Sequence, residues 1–203
     1  MSKKILNIVT SINGENSFTI KLSNAIIDKL TAVYPDSTIH TRDLTQNPLP
    51  HLEKAHYTSF NTPKETRTDT LHEAVKNSDE AVKELMEADI IIIGVPIYNF
   101  SVPSTLKSWV DHIARPGVTF TYANGYPEGL VVNKQVYLAL ASGAIYSEGP
   151  MKIYDFADSY LRSILGFIGL TDITTFRVEG IKMPEITETA FPKAQNAVAE
   201  FAF

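Results

Sequence analysis

Short apolar runs alternate with longer amphipathic stretches along the whole chain. Residues 5–9 form one such run, short and rich in β-branched side chains, which predicts a buried strand. Residues 17–33 carry Ile20, Ala25, Ile26, Leu30 and Val33 at roughly helical spacing and predict a helix. A strand follows at 38–44, then a helix at 73–88 with Ala74, Ala81, Val82, Leu85 and Met86 on its apolar stripe. Residues 90–95 give the strongest strand signal, four consecutive isoleucines followed by Gly94 and Val95. An unbroken apolar run suits a strand covered on both faces, hence a parallel sheet. A helix is expected over 104–114, between Pro103 and Pro116. A fourth strand at 136–141, a helix at 153–168 and a fifth strand at 173–178 complete the alternation. The last helix spans 189–200, with Pro192 near its first turn.

This alternation predicts an α/β fold in one domain over residues 1–203, a doubly wound five-stranded parallel sheet with helices on both faces. Five strands fit the flavodoxin-like order 2-1-3-4-5, in which ligands gather beyond the C-terminal strand ends, near the switch point between the first and third strands. That order comes by analogy, not from spacing. Residues 51–67 are polar and irregular and read as a long surface excursion. Residues 118–130 place Asn124-Gly125 between aromatics, the pattern of a hairpin projecting from the sheet.

The 203 residues suffice for one sizeable core. A formal charge of -5 argues against a nucleic-acid partner, which selects for a basic patch. Cysteine is absent, so disulfides, thiolate metal sites and cysteine nucleophiles are excluded, and a reducing compartment is in keeping. Lys3 and Lys4 precede an apolar run of about five residues, short of the roughly 7–15 of a secretory core. No stretch nears the roughly 20 apolar residues that span a bilayer. A cytoplasmic protein with no membrane partner is expected.

Three turns carry the candidate chemistry. The first, 10–19, follows the first strand and opens a helix whose unpaired N–H groups and dipole attract phosphate. Ser11, Ser17 and Thr19 can add hydroxyl hydrogen bonds, although Ser17 serves equally as a plain helix cap. The turn lacks the G-x-x-x-x-G-K-[ST] of a triphosphate site and the G-x-G-x-x-G of a dinucleotide site. The second turn, 96–104, leaves the most buried strand with Pro96, Ile97, Tyr98, Asn99 and Phe100. Its flat apolar groups and amides suit a flavin ring, and ordinary loop packing accounts for the aromatics too. In the third turn, Ala141, Ser142, Gly143 and Ala144 are small enough for the backbone to approach a planar ligand. A tight turn is the plain alternative. Convergence of all three on one sheet edge is what would make them a site.

Other reactive residues read as structural. His51 and His56 flank Glu53, but HLEKAH lacks the spacing and order of H-E-x-x-H, and no metal site is expected. Asp111-His112 lies in a helix, the histidine structural or on the surface. No G-x-S-x-G elbow occurs. Asp79, Glu80, Lys83, Glu84 and Glu87 recur at helical spacing as a solvated face.

Residues 96–100 (PIYNF), Pro103-Ser104 with Leu106-Lys107, Asp111-His112 with Ala114-Arg115, and Gly117-Val118-Thr119-Phe120 with Tyr122 resemble FMN-dependent NADH-azoreductases, also called FMN-dependent NADH:quinone oxidoreductases. Residues 165–169 (LGFIG) and Glu179-Gly180 are similar to the same family, and the likeness runs to about Gly180. The resemblance implies FMN held by Ser11, by Ser17, Phe18 and Thr19, by Ile97 to Phe100, and by Ala141 to Ala144. It implies NADH as donor, a homodimer with two interfacial flavins, and Phe120, Tyr122 and Phe167 beside the substrate, Phe167 from the partner. Ile97 stands where many relatives have methionine, Gly143-Ala144 where many have Gly-Gly, and Phe18 where polar residues are common. The implied reaction is a ping-pong transfer of hydride from NADH to the flavin and of two electrons to a quinone or azo acceptor. The rival reading is a flavodoxin-type electron carrier. The stretch 120–126 resembles a substrate wall more than a carrier's shield.

Overall fold

A computed structural model describes residues 2–123 and 125–203. Its main sheet holds β1 (Lys4–Val9), β2 (Thr38–Asp43), β3 (Ile90–Pro96), β6 (Gln135–Ala141) and β7 (Asp172–Val178), in the order β2-β1-β3-β6-β7. Every pairing is parallel. The order matches 2-1-3-4-5, because two short strands, β4 (Phe120–Thr121) and β5 (Glu128–Gly129), form a separate antiparallel hairpin between β3 and β6. Asn124, expected at the tip of that hairpin, lies outside the described residues.

The period of two along each strand sorts the core into two layers. Ile91, Ile93, Leu138 and Leu140 face α3 (Asp69–Glu87), α4 (Ser104–Ile113) and α5 (Phe156–Phe167), with Trp109 buried among them. Ile90, Ile92, Tyr137 and Ala139 face α1 (Phe18–Val33) and α6 (Thr187–Glu200). Four isoleucines in succession thus serve two cores at once, which explains why β3 shows no polar alternation. Phe201 and Phe203 fold back onto the second layer, where the Phe203 ring lies 5.0 Å from Tyr137.

Several expectations need correction. The segment 51–67 contains a helix, α2 (Lys54–Phe60), with reciprocal capping between Glu53 and His56. A histidine at the third helical position supplies the cap usually made by Glu or Gln, so the sequence lacks the familiar signal. Helix α3 starts four residues earlier than expected, where Thr68 caps it by accepting from Leu71 N–H. The expected helix at 153–168 is a 3-10 turn over Pro150–Tyr154 followed by α5. Pro192 lies inside α6, which begins at Thr187, and not in its first turn.

The acidic face of α3 is divided between solvent and structure. Glu84 takes a two-pronged hydrogen bond from the β2 residue Arg42, with Nη2 to Oε1 at 2.6 Å. Burial alone would raise the Glu84 carboxyl, but the Arg42 bonds and charge hold it below its ordinary value. Asp79 accepts from Arg115 at 3.0 Å, and the Arg115 guanidinium, only 3% exposed, stacks 4.2 Å from the Phe60 ring. Arg115 therefore pins α2 to α3 and α4. Glu80 and Lys83 remain exposed.

His112 is fully buried; its Nε2 donates to Pro50 O at 2.9 Å and its ring meets His56 edge-on at 5.0 Å. His51 Nδ1 lies 3.3 Å from Ser108 Oγ in the same contact. Burial, and the nearby charge of His56 and Arg115, keep the His112 imidazole below its usual 6.5. The folded state therefore disfavours its proton, and stability is lost as pH falls below about 6.5 toward the folded value. Urea midpoints at pH 7.5 and 5.5 should differ in the wild type, and His112→Gln should flatten that difference. A second expectation concerns Gly129, where an added methyl would sit 2.1 Å from Gly169 N. Gly129→Ala should destabilise by about 1–3 kcal/mol, read as a lowered thermal midpoint.

Candidate functional site

All five main strands run parallel, so their C-terminal ends share one edge. Because β1, β3 and β6 are neighbours, the turns at 10–17, 97–103 and 142–149 stand side by side there. Direct contacts tie them together. Thr10 Oγ1 donates to Gly94 O at 2.6 Å. Gly94 has no side chain, and a methyl there would meet Ser23 Oγ at 3.4 Å and Thr19 Cβ at 3.5 Å, so α1 closes tightly onto β3. Ile97 N–H donates to Ala141 O at 2.9 Å, carrying the ladder past the end of β3.

In the first turn, Ser11, Ser17 and Thr19 are buried and Phe18 is half-buried. Ser17 caps α1 by accepting from Ile20 N–H at 3.3 Å, and its hydroxyl lies 2.9 Å from that of Thr19. Ser11 Oγ accepts from Asn13 N–H at 3.3 Å. Capping and anion binding do not compete here, because the cap uses one opening donor. The N–H groups of Phe18 and Thr19 precede the first intrahelical bond and have no backbone acceptor among the described residues. Glu15 is exposed. The Phe18 ring packs 5.9 Å from Phe191 with Lys21 above it, so this residue offers the turn its backbone alone.

The second turn adopts a shape the sequence does not announce. Tyr98 and Ser101 exchange both backbone hydrogen bonds, at 3.1 and 3.0 Å, around Asn99 at φ 50° and Phe100 at φ 68°. This is the pattern of a type I′ turn, built here without glycine. The left-handed region is open to asparagine but strained for a phenylalanine, costing on the order of 1–3 kcal/mol at Phe100. Pro96 is buried and Ile97 packs at the margin of the core, whereas Tyr98, Asn99 and Phe100 are exposed. The N–H groups of Asn99 and Phe100 find no acceptor among the described residues. Beside the turn, Tyr98, Asn99, Val102, Lys107 and Tyr160 line a cleft of about 690 Å³. Burial and the charge of Asp111 push the Tyr160 hydroxyl up to about 12, leaving it a neutral donor.

In the third turn, Ala141 and Ser142 are buried, and the carbonyls of Ser142, Gly143 and Ala144 are all engaged. They accept from Ile181 N–H at 3.2 Å, Lys182 N–H at 3.0 Å and Gly180 N–H at 3.3 Å. The N–H groups of Gly143, Ala144 and Ile145 have no acceptor among the described residues. Three successive free amides are donors open to an electron-rich atom. A methyl at Gly143 would lie 3.2 Å from Lys182 Cγ. The glycine seats the lysine stem.

Two residues at this edge were not selected from the sequence as site residues. Glu179 Oε1 accepts from Tyr146 N–H at 2.7 Å and Ser147 N–H at 2.9 Å, and Oε2 accepts from the Ser147 hydroxyl. Arg177 reaches Glu179 at 3.5 Å, Asp155 at 2.7 Å and Asp158 at 3.4 Å. Burial would lower the Arg177 guanidinium, but the Asp155 hydrogen bond and the surrounding carboxylates raise it. Opposite charges two residues apart at a strand end are the signal in the sequence, since they share one side of the strand. Phe100 joins this assembly, its ring 6.1 Å from Tyr146 and 5.3 Å from Tyr154.

Phe120, Tyr122 and Phe167 also come together. The Phe120 ring lies 4.6 Å from Phe167 and 5.7 Å from Tyr122. Helix α5 descends from the C-terminal edge, and Phe167 ends it just before β7 begins. Val131 N–H donates to Ile168 O beside it, shortly before β6 begins. The trio therefore stands at the sheet edge opposite the three turns.

The family model described as flavodoxin-like fold matches residues 3–202. The FMN-dependent NADH:quinone oxidoreductase of Beijerinckia indica is 41% identical, with 98% of each chain covered. Its counterpart from Herminiimonas arsenicoxydans is 44% identical over 97% of each chain. The crystal structure of an azoreductase from Bacillus anthracis superposes with a TM-score of 0.90 at 27% identity, covering 98% of each chain. With its parallel sheet and its three converging turns, the chain belongs to the family of FMN-dependent NADH:quinone oxidoreductases.

Proposed function

We propose that this protein is an FMN-dependent oxidoreductase that takes hydride from NADH and reduces quinones and azo compounds. The observation that carries this reading is the rim itself. Three adjacent turns present unpaired backbone donors on one sheet edge, in a chain whose relatives bear that activity in their names.

The residues fit FMN. A single phosphate suits the opening of α1, where Phe18 and Thr19 offer N–H groups and Ser11, Ser17 and Thr19 offer hydroxyls. No lysine is needed for a monoester in such a cradle. A flat ring suits the second and third turns, with Pro96, Ile97, Tyr98, Asn99 and Phe100 on one side and Ala141, Ser142, Gly143 and Ala144 on the other. Bound there, FMN would supply the two-electron hydride-transfer chemistry between NADH and the acceptor. The chain's own contribution is position and polarity. Free amides at Gly143, Ala144 and Ile145 favour an electron-rich ring edge, and Asn99 can orient the other edge. Neither role needs a protein nucleophile.

The opposite placement of Phe120, Tyr122 and Phe167 supports a homodimer. Tyr122 is 57% exposed and Tyr126 80% exposed, which leaves aromatic surface for a second copy to use. In that arrangement the trio of one chain serves the rim of its partner, and each chain acts as one domain. A chain without cysteine accords with a cytoplasmic setting.

Purified protein reconstituted with FMN should be yellow at one flavin per chain, and should bleach on anaerobic titration with NADH. It should also oxidise NADH steadily with menadione; an electron carrier would show almost no turnover. Asn99→Leu should weaken FMN retention by about tenfold, given one lost polar contact and a strained turn. Retention and reduction rate both at wild-type levels would remove the second turn from the site.

A further inference from the structure

We infer that Glu179 is a positioning residue for the flavin site, a carboxylate latch that holds the third turn open as a donor nest. This inference rests on the function proposed above. Nothing in the flavin reading itself calls for an acid here, since a carboxylate near the ring would oppose an electron-rich ligand. The geometry gives it another task. Glu179 takes the two amides that follow the nest, Tyr146 and Ser147, together with the Ser147 hydroxyl. The turn of 180–182 takes the three carbonyls of Ser142, Gly143 and Ala144. Between these two restraints, the N–H groups of Gly143, Ala144 and Ile145 are left with no partner among the described residues. A turn of small residues would otherwise relax and pair some of those amides internally, because unpaired donors are costly once shielded from water.

The latch is itself anchored and its charge is offset. Arg177 faces Glu179 at 3.5 Å and is held by Asp155 at 2.7 Å and Asp158 at 3.4 Å. Asp158 also accepts from Arg162 at 2.9 Å and from the Thr175 hydroxyl at 2.7 Å. The third turn is thereby fixed to β7 and α5. Tyr146, whose amide the latch holds, carries its ring against Phe100 of the second turn. Glu179 thus sets two things at once, the donors of the third turn and the aromatic contact that closes it on the second.

The test compares wild type, Glu179→Ala, Glu179→Gln and Ser147→Ala as FMN-loaded proteins. The readouts are the FMN dissociation constant by fluorescence quenching, the visible flavin spectrum and the midpoint potential. Glu179→Ala should raise the dissociation constant about tenfold or more, shift the spectrum and lower the potential, because the nest no longer favours the reduced ring. Glu179→Gln keeps an oxygen acceptor for the two amides and should recover most of the affinity; Ser147→Ala should lose a smaller share. A thermal melt of each variant separates loss of the latch from loss of the fold. If Glu179→Ala fails to fold, the ordering of the Gln and Ser147 variants decides. Affinity within twofold of wild type, with an unchanged spectrum and potential in folded variants, overturns the latch and leaves the flavin reading intact. Wild-type protein that binds no FMN overturns both.

Discussion

The parallel ladder joining β1, β3 and β6 is the constraint on which everything else depends. Parallel pairing sends every connection over a face of the sheet and leaves every strand C-terminus on one edge. The isoleucine run of β3 enforces that arrangement. Its residues alternate between two cores, so the strand is stable only with helices on both sides. Once β3 is central, the turns that leave its neighbours have nowhere to stand except beside its own. The place of the rim follows from burial deep within the sheet, and its free amides follow from how each turn is held.

Much of this was legible in the sequence because the relevant signals are periodic. The five main strands and the helices that cover them follow from apolar spacing, and Ser17, Pro103 and Pro116 mark ends that local chemistry makes plain. What escaped was non-periodic. Helix α2 hides because its cap is a histidine, whose ring nitrogen takes the backbone N–H of Glu53 at 2.9 Å. The acidic stripe on α3 looks solvated because helical spacing says nothing about the arginines that reach it from β2 and from the end of α4. At the candidate site the legible part was which turns to examine. The illegible part was how they are shaped: a left-handed pair without glycine, a nest whose carbonyls are turned to the next loop, a phenylalanine at position 18 that aims its ring elsewhere.

Charge plays two roles in the molecule. Far from the rim, buried arginines join elements: Arg42 ties β2 to α3, and Arg115 ties α2 to α3 and α4. Near the rim, Arg177 gathers three carboxylates, one of which ends on backbone amides. Burial alone would disfavour these ionised groups; hydrogen bonds and carboxylate charge outweigh it at Arg42 and Arg177, whereas at Arg115 burial still prevails over the Asp79 pairing. The net charge of -5 therefore says little about the site. Its polarity is set by amides and by a local cluster in which Arg177 and Arg162 offset part of the charge of Asp155, Asp158 and Glu179.

The turn at Asn99 and Phe100 also bears on how this protein can change over generations. A backbone held at φ 50° and 68° filters substitutions by shape before any ligand does so. Valine, isoleucine and threonine are poorly tolerated there whatever their chemistry, while aspartate or glycine fit at position 99 with little strain. Variation at this edge is thus channelled into a few residue types. A lineage could vary neighbours such as Ile97 or Ala144 long before it could alter the turn itself.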